Sequence, residues 1–127
     1  MKNYDIDAEL YCAELSVEGL RSAQGAPAVY QPLPKFPAVS RDLALVCAES
    51  ITVGQLEGCI RTAAKALLKE IRLFDVYRGP GVAEGKKSVA FSLVLRADDR
   101  SLTAEEADAC IAAVLNALEQ ELNAVLR

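Results

Sequence analysis

Leu73-Phe74-Asp75-Val76-Tyr77-Arg78-Gly79-Pro80-Gly81-Val82-Ala83-Glu84-Gly85-Lys86-Lys87-Ser88-Val89-Ala90-Phe91-Ser92-Leu93-Val94-Leu95-Arg96 carries the strongest structural signal in the chain. Two β-type runs flank a loop that holds three glycines and one proline. A hairpin brings the end of the first run, Asp75, Tyr77 and Arg78, toward the start of the second, Lys86, Lys87 and Ser88. An acid, an aromatic ring, a hydroxyl and several cations then share one edge of a sheet. That inventory suits a surface that meets a nucleotide.

Upstream of the hairpin, Arg41 to Ala48 reads as a short buried strand. Thr52 and Gln55 have the spacing of a capping box, and Leu56, Cys59, Ile60, Ala63 and Leu67 mark one helical face. The two hairpin strands are expected over roughly 68–78 and 87–97. Thr103 and Glu106 form a second capping box, with Leu102 placed to staple Ala107. Its helix carries Cys110, Ile111, Val114, Leu118 and Leu122 on one stripe. A terminal run, Ala124 to Arg127, completes the set as a last strand. The order β-α-β-β-α-β predicts an α+β, ferredoxin-like split βαβ sandwich. Two helices cover one face of a four-stranded antiparallel sheet, and the other face stays open.

Upstream of this unit, residues 4–17 read as a β-prone segment. Gly25, Pro27, Pro32, Pro34 and Pro37 follow, and prolines at this density favour an extended path. The expected division is an N-terminal extension and linker over 1–33 and one domain over 34–127.

Strand alternation selects the side chains of the open face. Val89, Phe91, Leu93 and Leu95 share one phase with Leu43, Leu45 and Cys47, and Phe74 and Val76 are expected to join them. Large apolar groups face the helices, because burial there removes the most area from water. The face left open is then Ala44, Val46, Asp75, Tyr77, Ser88, Ala90 and Ser92. A base ring stacked on Tyr77 contributes on the order of 1–3 kcal/mol. Asp75 accepts from a base N–H edge, and Ser88 donates or accepts. Arg41, Arg78, Lys86 and Lys87 are the candidates for phosphate contacts.

Composition narrows the classes. The 127 residues are 52% hydrophobic and 25% charged, which is globular rather than disordered. No apolar run approaches the ~20 residues that cross a bilayer, and the first residues lack the apolar core of a signal peptide. A cytoplasmic location is expected. The chain has no histidine, so the usual general base and the commonest metal ligand are missing. Four cysteines, at 12, 47, 59 and 110, show no zinc or redox spacing, and Cys47, Cys59 and Cys110, which fall within apolar patterns, read as small core residues. The formal net charge is −4, but residues 35–100 carry eleven bases against eight acids. The middle of the chain is basic between acidic ends.

Four strings occur in order: Phe36 to Ala44, Leu73 to Gly79, Gly85 to Ala90, and Ser101 to Thr103. Together they resemble the ferredoxin-fold anticodon-binding domain at the C-terminus of bacterial phenylalanyl-tRNA synthetase β chains. The likeness runs from about Pro34 to Arg127. The first 33 residues are similar to the segment that precedes this domain in that β chain. The resemblance implies a fragment of a tRNA-binding chain, part of an α2β2 enzyme that joins phenylalanine to its tRNA with ATP and magnesium. Catalysis would lie in the α subunit, so this domain would contribute recognition and bind neither cofactor. It implies the anticodon loop of tRNA(Phe) as partner, with the first anticodon base on the open sheet, and neither DNA nor a membrane. The matching positions are Ala44, Asp75, Tyr77 and Ser88, which alternation selects independently. The terminal run lacks the glycine often found there in the family.

Three other readings share the architecture. A regulatory module binding an amino acid would use the loop Gly79-Pro80-Gly81, but gives Lys86 and Lys87 no purpose. A hydrolase of acyl phosphates has Arg41 and Asn116 available, but no phosphate-cradling loop after the first strand. An RNA-recognition motif requires Phe91 on the open face.

Overall fold

The computed structural model describes residues 8–23, 25, 29–30 and 33–127. The chain divides into two units, Met1–Pro32 and Leu33–Arg127.

In the first unit, Val17–Ser22 form a short helix, α1. Ser16 caps it, its hydroxyl accepting from the Gly19 amide at 3.2 Å. Residues 8–16 carry no strand, which corrects the β reading of that segment; residues 4–7 of it lie outside the described ones. A strand makes its hydrogen bonds to a neighbour, so apolar alternation alone does not hold one. The cap at Ser16 turns Val17 and its successors into a helix instead.

In the second unit, β1 spans Val39–Ala48, α2 Val53–Ala64, β2 Leu68–Tyr77, β3 Lys86–Leu95, α3 Ala104–Leu122 and β4 Val125–Leu126. A 3-10 turn, Lys65–Leu67, joins α2 to β2. The strand order is β2-β3-β1-β4 with every neighbour antiparallel. This is the ferredoxin-like sheet predicted from the β-α-β-β-α-β order. Both capping boxes form as read, Thr52 with Gln55 and Thr103 with Glu106. At the end of α3, Asn123 takes the left-handed conformation at φ 47°, and its amide bonds Glu119 O at 3.0 Å. Asparagine is among the few non-glycine residues that tolerate that region, so the turn into β4 forms without the glycine.

The core lies between the sheet and α2 and α3. Leu45, Phe91, Leu93 and Leu95 from the sheet meet Leu56, Ile60, Val114 and Leu118 from the helices, all fully buried. With Phe91 beneath the helices, the RNA-recognition-motif reading is excluded.

Phe74 departs from the expected phase. The pairing of β2 with β3 slips between Leu73 and Asp75, leaving Phe74 as the extra residue of a β-bulge. A bulge sets two residues opposite one and resets alternation. Leu73 pairs with Phe91 and Asp75 with Ala90, so Phe74 turns to the open side, where it is 56% exposed. The same slip preserves the expected phase of Asp75, Val76 and Tyr77.

Candidate nucleic-acid interface

Three successive cross-strand rows form the middle of the uncovered face. Tyr77 pairs with Ser88, and Ser88 with Val46. Asp75 pairs with Ala90, and Ala90 with Ala44. Arg72 pairs with Ser92, and Ser92 with Asp42. Directly opposed residues on one face sit ~5 Å apart. Ala44, Asp75, Tyr77 and Ser88 therefore lie side by side on two adjacent rows, as alternation predicts.

The tyrosine is held at a set angle. Its hydroxyl donates to the Pro80 carbonyl at 3.2 Å, so the loop after β2 curls against the ring. Gly79 permits that approach, since a Cβ there would stand 2.8 Å from the Tyr77 Oη. Above the ring lies the guanidinium of Arg127, its Cζ 5.3 Å from the centroid. The Arg127 amide bonds Ala44 O at 2.8 Å, beyond β1 from the tyrosine. To reach Tyr77 the arginine side chain passes across β1 and β3. Ser88 and Ala90 are only 4% and 8% exposed, although no helix covers this face.

The four cations singled out for phosphate contacts are placed very differently. Lys86 is exposed, in phase with Ser88, and its ammonium has no partner among the described residues. Arg78 grips the Glu49 carboxylate, with Nε at 3.0 and 3.1 Å from its two oxygens and Nη2 at 2.6 Å from one. Lys87 is buried, donating to Glu49 O at 2.9 Å. Arg41 is in phase with Leu43 and Leu93 on the helix side, where Nε and Nη2 both reach Asp108 Oδ1, at 3.1 and 3.0 Å. The open face thus keeps Lys86, while Arg41, Arg78 and Lys87 serve internal pairs.

Those pairs set the local electrostatics. Hydrogen bonding from Arg78 holds the Glu49 carboxyl below the usual carboxylate range, and the Arg78 guanidinium is correspondingly raised. Burial pushes the Cys47, Cys59 and Cys110 thiols up, as expected of small core residues. Among the described residues, no group of three or more His, Cys, Asp or Glu is placed to hold a metal ion. No described helix is long and apolar enough to cross a membrane.

Sequence reasoning missed Arg127, Arg72 and Phe74 on this face. Arg72 is in phase with Ser92, a relation visible only once the register of β2 is known. The contact of Arg127 with Tyr77 spans the whole sheet, and no local pattern signals it.

Residues 34–127 match the family described as the ferredoxin-fold anticodon binding domain. The chain belongs to that family. Over 126 residues the chain is 48% identical to the phenylalanine–tRNA ligase beta subunit of Bacillus subtilis, covering 99% of this chain and 16% of that protein. It is 42% identical over 127 residues to the same subunit of Clostridium tetani, covering all of this chain and 16% of that one. A Geobacillus kaustophilus counterpart is 44% identical over 126 residues, again 99% of this chain and 16% of the relative. The chain thus spans about a sixth of the length of these relatives.

Proposed function

We propose that this domain holds the anticodon loop of tRNA(Phe) on its uncovered sheet, as part of a phenylalanine–tRNA ligase β subunit. The observation that carries the reading is the side-by-side placement of Ala44, Asp75, Tyr77 and Ser88 on that face in a member of an anticodon-binding family. Bases in a single-stranded RNA loop can be splayed out, stacked on an aromatic ring and read on their edges. Here Tyr77 supplies the ring, Asp75 accepts from N–H groups, and Ser88 offers a hydroxyl in the next strand. Rigid strands hold these groups more accurately than a loop would.

In this reading the domain recognises and does no chemistry. ATP and magnesium act in the synthetase α subunit, which it reaches through the rest of the β chain, and the setting is the cytoplasm. With Lys86 the one member of the predicted cation set left free among the described residues, few phosphates are engaged. Affinity then falls only shallowly with salt.

The test is a titration of the 127-residue chain with an anticodon stem-loop RNA of tRNA(Phe). Tyr77→Ala weakens binding while the chain stays folded by circular dichroism. Equal affinities for the two proteins would reject the proposal.

A further inference from the structure

The bulge at Phe74 creates a feature that the Tyr77 cluster does not use. A shallow groove of about 470 Å3 lies on the uncovered face, lined by Asp42, Glu70, Arg72, Phe74, Ser92 and Val94. It adjoins the cluster directly, because the Arg72–Ser92–Asp42 row follows the Asp75–Ala90–Ala44 row. Phe74 is over half exposed and presents its ring at the groove. Asp42, Glu70 and Arg72 are exposed, and none has an ion-pair partner among the described residues.

We propose that this groove is a second nucleotide subsite, taking the base adjacent to the one on Tyr77; the inference rests on the RNA-binding reading above. The ring of Phe74 supplies the stacking surface. Asp42 and Glu70, acceptors only when ionised, face the base edge. They favour a base with an exocyclic amino group, adenine, guanine or cytosine, over uracil, whose single N3–H lies between two carbonyl oxygens. With two carboxylates to one guanidinium, the floor repels phosphate. The base points into the groove and the backbone stays at the rim, where Arg72 can meet it. A nucleotide fits this chemistry better than a protein segment does, because the groove continues a platform built for a base and its polar groups are acceptors for N–H edges.

The experiment uses the full chain and stem-loop RNAs carrying 2-aminopurine at one loop position at a time. Two neighbouring positions change fluorescence on binding. The first response is lost in Tyr77→Ala, and the second in Phe74→Ala, which also weakens binding about fivefold or more. Placing uracil at the second position weakens binding to the wild type but not to Asp42→Asn. If Tyr77→Ala abolishes one response while Phe74→Ala binds every RNA as the wild type does, this inference is overturned, the RNA-binding reading stands, and the groove is left to a protein segment. If no position depends on Tyr77, the underlying reading fails as well.

Discussion

Arg127 lays its guanidinium over the ring of Tyr77, Cζ 5.3 Å from the centroid, from the opposite edge of the sheet. The free domain therefore keeps its principal aromatic surface covered by its own cation. A guanidinium plane is itself a stacking surface for a base. An incoming base can slide beneath it or displace it toward a phosphate.

Arg127→Ala should lower stability by about 0.5–1 kcal/mol, the range of an exposed cation–π contact. It should also weaken binding of the stem-loop and flatten the plot of log affinity against log salt by about 0.7, one single-strand phosphate contact. Denaturant melts and titrations at several salt concentrations measure both. Tighter binding by the variant would make Arg127 a competitor of the base and nothing more.

Gly79→Ala introduces a methyl 2.8 Å from the Tyr77 Oη. The ring must swing away and lose its bond to the Pro80 carbonyl. The expected result is a near-normal melt with weakened RNA binding. Tyr77→Phe in the same assays separates the loss of the hydroxyl from the displacement of the ring.

Phe91 and Phe74 lie one strand apart on opposite sides of the sheet, so truncation separates their roles. Phe91→Ala should cost about 3–5 kcal/mol, because it empties a fully buried site. Phe74→Ala should cost about 1 kcal/mol or less, because over half of the ring is already in water. Equilibrium urea unfolding of the two variants checks the ranking; equal losses would contradict the bulge.

Three carboxyls are held below their usual range: Glu49 by hydrogen bonding from Arg78, Asp98 by hydrogen bonding from Lys69, and Glu106 by the Thr103 backbone amide of its capping box. Lowered folded-state values mean that their stabilisation is complete above the ordinary carboxyl range and fades as pH falls through the lowered values. Stability should be level from neutral pH to about 4.5, the ordinary value for Glu49, and decline below it. Glu49→Gln should shrink that acid decline, measured by urea melts from pH 7 to pH 3.

Much of the architecture was legible in order along the chain. Apolar spacing at 3.6 and at 2 separated helices from strands, and the Thr52 and Thr103 boxes marked where α2 and α3 begin. The Ala44, Asp75, Tyr77 and Ser88 cluster was legible for the same reason, since alternation within β1, β2 and β3 is a local property. The fate of the cations was not. Arg41, Arg78 and Lys87 look alike in sequence, yet each is held by a partner at least 29 positions away. The segment at 8–16 misled because a strand is defined by a neighbour, and alternation says nothing about whether one exists.

By itself, then, the amino-acid order determined which elements form, their succession, and the side of each regular strand that meets the helices. These follow from backbone periodicity and from the removal of apolar area from water. The tertiary structure alone decided that a bulge turns Phe74 outward, that Glu49 ties up Arg78 and Lys87, and that Arg127 crosses the sheet to Tyr77. Register slips and long-range charge pairing depend on how separate segments meet in space, and no local pattern encodes that meeting.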